Sequence, residues 1–253
     1  MMPQGVERLT KRERRILRQQ DVLTKENQIN TKNFHVSITP KGPNQERAHE
    51  YWKDGYNLML HGYAGTGKTF LALGIALKEV LSEHYKKVVV VRSAVPTRDI
   101  GFLPGTAKKK MEVYELPYKN ICNELFGRGD AYEILYNKFM YDFIPTSYIR
   151  GTTLDNCIVI VDEINNMTFH ELDSVITRLG YNTRCIFCGD FRQSDLKQIG
   201  QQSGIDRFMD IVQKMPQFKF IDFGIDDIIR SGIVRDYIIA KADYDDANPR
   251  RYV

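Results

Sequence analysis

The sequence predicts an α/β protein with a mostly parallel, twisted sheet and helices on both faces. Three observations carry this expectation. The run Lys87-Val88-Val89-Val90-Val91-Arg92 is continuously β-branched, as in a strand buried on both sides. Similar apolar runs recur along the chain, separated by stretches of helical periodicity. A glycine-rich loop, Gly62 to Thr69, stands between one such run and one such helical stretch.

The elements follow in order. Residues 1–33 are polar and poor in aromatic residues, and are expected to form a flexible basic arm. From Phe34 the remaining 34–253 are expected to form a single domain. Phe34 to Ile38 alternates like a short strand, and Pro40, Gly42 and Pro43 break it. A helix is expected from Gln45 to Lys53, ended by Asp54-Gly55. Tyr56 to His61 reads as the strand that feeds the glycine loop, and Thr69 to Glu83 as the helix behind it. The segment 93–118, with its prolines and glycines, is expected to be irregular, and 119–140 helical. Further strands are expected at 144–150, 156–162, 183–188 and 218–223. Helices are expected at 168–179 and from Asp226 to Ala240.

Bulk composition excludes several classes. At 253 residues, 42% hydrophobic and 27% charged, the chain has the make-up of a globular protein with a sizeable core. It offers no run of 18 apolar residues and no apolar leader at its start, so a cytoplasmic protein without a membrane partner is expected. The net charge of +4 is matched by residues 1–18 alone, which hold six basic and two acidic side chains. Basic character therefore belongs to the arm, where it could meet phosphates or a neighbouring subunit. Cys185 and Cys188 have the spacing of half a zinc or redox site. No second pair lies at a matching distance, so they read as small core residues, as do Cys122 and Cys157.

Five constellations carry chemistry. The first is Gly62-Tyr63-Ala64-Gly65-Thr66-Gly67-Lys68-Thr69, the pattern of a phosphate-binding loop. Its glycines let backbone N–H groups turn towards phosphate oxygens. Lys68 supplies a positive charge to the β- and γ-phosphates, and Thr69 a hydroxyl to Mg²⁺. Ala64, Thr66 and Phe70 complete the nucleotide-binding set, and the following helix adds its positive end. The second is Ile158-Val159-Ile160-Val161-Asp162-Glu163, an apolar strand ending in two carboxylates. Asp162 would hold Mg²⁺ and Glu163 would deprotonate an attacking water. A Glu in that place favours hydrolysis over transfer to a small acceptor. The third, Cys188-Gly189-Asp190-Phe191-Arg192-Gln193, ends the next strand, where open α/β sheets bind ligands. Asp190 and Gln193 would face the γ-phosphate or its water. The fourth is Gln45, whose amide could pair with an adenine edge. The fifth is the pair Arg230 and Arg235, either of which could stabilise γ-phosphate charge in the transition state, from within the chain or from a neighbour.

Together these residues resemble the PhoH-like ATPase family. The resemblance runs through Gly62–Ala72, Val91-Arg92, Ile100–Gly105, Arg150-Gly151-Thr152, Val161–Thr168, Thr177–Gly180, Gly189–Leu196 and Asp227–Arg230, and covers roughly residues 40–240. The order and lengths look like the compact versions carried by tailed phages. The resemblance implies the nucleotide-binding core of superfamily 1 helicases, with ATP and Mg²⁺ as cofactors. It places Gln45 at adenine, Gln193 at the γ-phosphate and Arg230 as an arginine finger or sensor. It also implies a ring oligomer, a hexamer, with ATP between subunits, acting on single-stranded nucleic acid with RNA favoured. Two departures stand out: Arg92-Ser93 where the family has Arg-Pro, and Asp162-Glu163-Ile164-Asn165-Asn166 where it has Asp-Glu-Ala-Gln-Asn. Candidate nucleic-acid contacts are Arg92, Arg98 and Lys108 to Lys110, with Phe102 and Tyr114 for base stacking. The competing expectations are a nucleotide-gated assembly protein with little turnover and a small-molecule kinase.

Overall fold

The structure, a computed structural model, describes residues 34–36, 38–93, 107–190 and 204–247, with backbone alone for 107–110 and 245–246. The expected arm and Gln193 lie outside these residues, as do Arg98, Phe102 and the side chains of Lys108 to Lys110. The described elements run α1 (Pro43–Lys53), β1 (Asn57–Gly62), α2 (Lys68–Leu81), β2 (Lys87–Arg92), α3 (Ala107–Phe126), α4 (Ala131–Asn137), β3 (Tyr141–Pro145), β4 (Cys157–Asp162), α5 (Phe169–Ile176), β5 (Arg184–Gly189), α6 (Ile205–Val212), β6 (Phe218–Phe223) and α7 (Ile233–Ala247).

The six strands form one sheet in the order β3-β2-β4-β5-β1-β6, and every pairing is parallel. Successive side chains of a strand point to opposite faces, and here both faces are covered. Leu58, Leu60, Val88, Val90, Ile158 and Ile160 bury into the core under α1, α2, α3 and α4. Met59, Val89, Val91, Val159, Val161 and Phe187 bury into the core under α5 and α6. That two-sided burial is why these strands read as continuous apolar runs. The expected fold class is the one observed.

Several elements differ from expectation. Residues 34–36 and 38 form no strand. Their alternation is real, but Phe34 packs against Phe126 with ring centroids 4.7 Å apart and tilted, while Val36 and Ile38 pack against the helical core. Ile38 lies so close to α2 that a Cβ on Gly74 would come within 2.1 Å of it. Helix α1 starts two residues early, because Pro43 occupies its first turn, where a missing N–H costs nothing. Helix α3 begins at Ala107, inside the segment expected to be irregular, and carries Pro117 within it. An interior proline costs roughly 3 kcal/mol. Burial of Tyr118, Cys122 and Leu125 on the same helix offsets that. Helix α6 was not expected, although Ile205, Phe208, Met209 and Val212 are buried at helical spacing. Strand β3 ends at Pro145, before most of the segment expected to form it. Finally, α7 begins at Ile233, so Arg230 lies in a connecting segment and only Arg235 is helical.

Candidate nucleotide site

The parallel register brings the carboxyl ends of β1, β4 and β5 side by side, with Leu60 opposite Cys188 and Val161 opposite Phe187. The loop Gly62–Gly67 leaves β1 there and delivers Lys68 and Thr69 at the start of α2. Gly62 is required twice over. Its φ is +122°, and a Cβ would sit 2.1 Å from the Phe223 carbonyl oxygen of β6. Gly67 caps α2 in the left-handed region with φ +81°. A cavity of about 490 Å³ opens at this end of the sheet, lined by Lys68, Thr69, Asp162, Glu163, Asp190 and Arg230 among others. Gln45, Ala64, Gly65, Gly67 and Phe70 also line it. Thr66 is fully buried beneath, its hydroxyl donating to the Tyr63 carbonyl at 2.9 Å.

The Lys68 ammonium donates to the carbonyls of Gly62 at 2.8 Å and Tyr63 at 2.6 Å. Burial lowers its pKa, opposed in turn by the charges of Asp190, Asp162 and Glu163. The Thr69 hydroxyl donates to Asp162 Oδ1 at 2.9 Å, which joins the loop to the acidic pair across 93 residues of sequence. Two hard oxygen donors in contact, with a second carboxylate beside them, suit Mg²⁺, which takes one or two protein oxygens and completes its shell with phosphates and water.

Glu163 follows β4 in the left-handed region at φ +56°, an uncommon conformation for a non-glycine residue that marks sites where surrounding contacts hold the backbone. Burial raises its pKa, and the neighbouring Asp162 charge adds to this. Arg92, the Asn165 amide and Lys68 pull in the opposite direction. A carboxylate raised towards neutrality is a better proton acceptor than an ordinary one. Asn165, only 4% exposed, bonds Glu163 and accepts the Asp190 backbone N–H at 3.1 Å. The shorter amide thus ties the ends of β4 and β5 together.

Gln45 and Arg230 approach the loop from outside the sheet. The Gln45 amide donates to Thr66 O at 3.1 Å and accepts the Lys41 N–H at 3.0 Å. It buttresses the loop, and one N–H and one lone pair are what remain for a base. The exposed Arg230 passes over Gly65, and the Ile229 N–H donates to the Gly65 carbonyl at 3.1 Å. Arg235, on α7, is not among the residues lining the cavity.

Two of the residues expected to meet nucleic acid, Arg92 and Tyr114, are among those described. Arg92 lies beside the site: it is the ladder partner of Asp162 and bonds the Tyr118 hydroxyl. Burial alone would lower its pKa, but Tyr118, Glu163 and Asp162 hold it raised. Tyr114 is half-buried against the helical core, with Arg92 6.0 Å from its ring centroid. The residue that sequence reasoning missed is Tyr118. It is 1% exposed and donates to Asp162 Oδ2 at 2.9 Å. Its signal was the helical spacing of Tyr114, Tyr118, Cys122 and Leu125, masked by Pro117. The four cysteines are buried free thiols, and burial pushes their pKa values up.

A parallel sheet with a glycine loop at one strand end and an acid pair two strands away defines a P-loop NTPase-type protein. Comparison with known proteins narrows the class. The model of the family described as PhoH-like protein matches residues 37–242, and the chain belongs to that family. It is 34% identical over 188 residues to a PhoH-like protein of Bacillus subtilis (strain 168), covering 74% of this chain and 57% of that one. It is 29% identical over 213 residues to a PhoH-like protein of Mycobacterium tuberculosis (strain ATCC 25618 / H37Rv), covering 83% and 59%. For Protein PhoH of Escherichia coli (strain K12) the figures are 29% over 174 residues, covering 68% and 49%. The chain therefore spans half to three-fifths of these relatives. Among solved structures, it aligns with the Pif1 helicase from Candida albicans at TM-score 0.39 and 19% identity, covering 74% of this chain and 40% of that one. It aligns with the Sulfolobus solfataricus SWI2/SNF2 ATPase core in complex with dsDNA at TM-score 0.39 and 12% identity, covering 75% and 47%. Likeness at that level says nothing of what this chain does. Among the described residues, no helix is long and apolar enough to cross a membrane.

Proposed function

We propose that this chain binds ATP with Mg²⁺ and hydrolyses it. The observation that carries this reading is the Thr69–Asp162 hydrogen bond with Glu163 next in the chain and in the same cavity as Lys68. The loop N–H groups and Lys68 would hold the β- and γ-phosphates. Thr69 and Asp162 would hold Mg²⁺, which neutralises phosphate charge when bound. Glu163 would take a proton from the attacking water, and Arg230 would stabilise charge on the γ-phosphate. Gln193 is the further γ-phosphate sensor in this reading, and Gln45 would meet the adenine. The ATPase domain is taken as 34–253, with 1–33 a basic arm.

Turnover is proposed to be coupled to single-stranded nucleic acid, RNA before DNA, within a ring oligomer working in a cytoplasm. The basic residues of the arm and of 98–110 support a phosphate-binding role. An exposed apolar face on α7, with Ile233 84% and Tyr237 67% exposed, lies beyond Arg230 and supports subunit contact there. The test is phosphate release with and without single-stranded RNA, alongside particle mass by light scattering with and without ATP. RNA-stimulated release from a multimer upholds the reading. Slow release indifferent to RNA indicates the assembly protein, and release requiring a small acceptor indicates the kinase.

A further inference from the structure

Asp162 is held from two sides. Thr69 donates to Oδ1 and Tyr118 to Oδ2, each at 2.9 Å. The Thr69 bond comes from within the phosphate-loop motif. The Tyr118 bond comes from α3, an element outside every motif of the site. The polarity of this chain is fixed by chemistry. An arginine can only donate, and a tyrosine hydroxyl has a single proton. Since Arg92 bonds the Tyr118 oxygen and Tyr118 bonds Asp162, the order is Arg92 to Tyr118 to Asp162. Arg92 and Asp162 are ladder partners on β2 and β4, and the Tyr118 hydroxyl bonds both the guanidinium and the carboxylate.

We propose that Tyr118 is a positioning residue for the metal-binding carboxylate: its hydroxyl fixes the orientation of Asp162 and keeps Arg92 from pairing with it. The inference rests on the reading of Asp162 as the Mg²⁺ ligand. A direct Arg–carboxylate pair is a strong, bidentate competitor for the oxygens a cation needs. A phenyl ring would fill the same space in the core, where Tyr118 lies 5.8 Å from Phe143, but would remove the spacer. Partners of this kind typically alter metal affinity by 10- to 100-fold. A tyrosine retained for core packing alone would leave the metal response untouched.

The test reads binding, not turnover. The affinity of a fluorescently labelled ATP is measured by anisotropy in EDTA and then across a Mg²⁺ titration. Tyr118→Phe should bind the labelled nucleotide in EDTA as the parent does, while its Mg²⁺ midpoint rises roughly tenfold. Adding Arg92→Met to Tyr118→Phe removes the competing cation and should return the midpoint towards the parent value. Asp162→Asn should abolish the Mg²⁺ response, and Tyr118→Phe should change nothing further in that background. A parent-like midpoint in Tyr118→Phe, with the response lost in Asp162→Asn, overturns the role of Tyr118 alone. A parent-like response in Asp162→Asn overturns the metal assignment beneath it. A double variant that stays shifted overturns the spacer argument.

Discussion

The two walls of the nucleotide cavity are built differently. The inner wall, at the ends of β2, β4 and β5, is a connected network: Arg92, Tyr118, Asp162 and Thr69 in one line, Asn165 joining Glu163 to Asp190. Beside it, Glu171 accepts from Ser93 at 2.9 Å and Thr146 at 2.5 Å, and so ties the ends of β2 and β3 to the start of α5. The outer wall is the segment Ile225–Arg230, carried over the glycine loop. It is anchored by Asp227, which accepts from Asn44 at 2.7 Å and from the Gly224 N–H at 2.8 Å, and by the Ile229–Gly65 backbone bond. Its tip, Ile229 and Arg230, is exposed. Preorganised groups are worth most where charge develops in a reaction. The difference separates a wall held by side-chain hydrogen bonds from one held by backbone bonds and an apolar cluster around Ile228.

The largest effect should come from the inner wall. Glu163→Gln is expected to lower kcat by roughly 10³-fold, within the range for a general base, while ATP affinity is retained. Unchanged turnover in steady-state phosphate release would sink its role. On the outer wall, Arg230→Ala is expected to cost about 10² in kcat, in the range for losing one charge-stabilising donor. Mixing this variant with Glu163→Gln subunits sharpens the comparison. Recovery of activity on mixing would show that Arg230 serves a neighbour, whereas no recovery would leave it with its own loop.

Stability should follow the same division. Burial alone would raise the Glu171 pKa, but bonds from Thr146, from the Thr168 N–H and from the Ser93 and Thr168 hydroxyls hold it below the ordinary value. Its contribution is present above the unfolded carboxylate pKa and is lost as pH falls through the lowered folded value. Glu171→Gln should therefore lower Tm at pH 7 by the equivalent of about 1.5–3 kcal/mol. The deficit should shrink below about pH 4; a deficit independent of pH would contradict the charged-network account. The smallest change is expected for Asn44→Ala, at about 1 kcal/mol of stability, with KM for ATP raised severalfold and kcat unaffected. A fall in kcat instead would mean that the outer wall is as preorganised as the inner one.

Much of this was legible in the linear chain. Lys87–Arg92 and Phe218–Phe223 form strands with the bounds read from the sequence, because β-branched and aromatic runs flanked by polar residues leave little choice. The phosphate loop and the acid pair were legible because each is a local pattern on a strand end. Arg230 was misplaced onto a helix for a physical reason. Asp227 bonds back to Gly224, and the Ile229 N–H is taken by Gly65, so the backbone bonds a helix needs are spent elsewhere. The alternation at Phe34–Ile38 looked like a strand because period 2 reports one-sided burial, and helices rather than a sheet supplied the burying surface.

By itself the sequence determined the phosphate loop, the carboxylates that face it and the parallel core, since these depend on neighbours within a few residues. Tertiary structure alone decided that β5 separates the loop strand from the acid strand and that α3 delivers Tyr118 to Asp162. It also set Arg92 beside the site. Those contacts join residues tens of positions apart, and only the packing of helices onto this strand order brings their side chains within hydrogen-bonding reach.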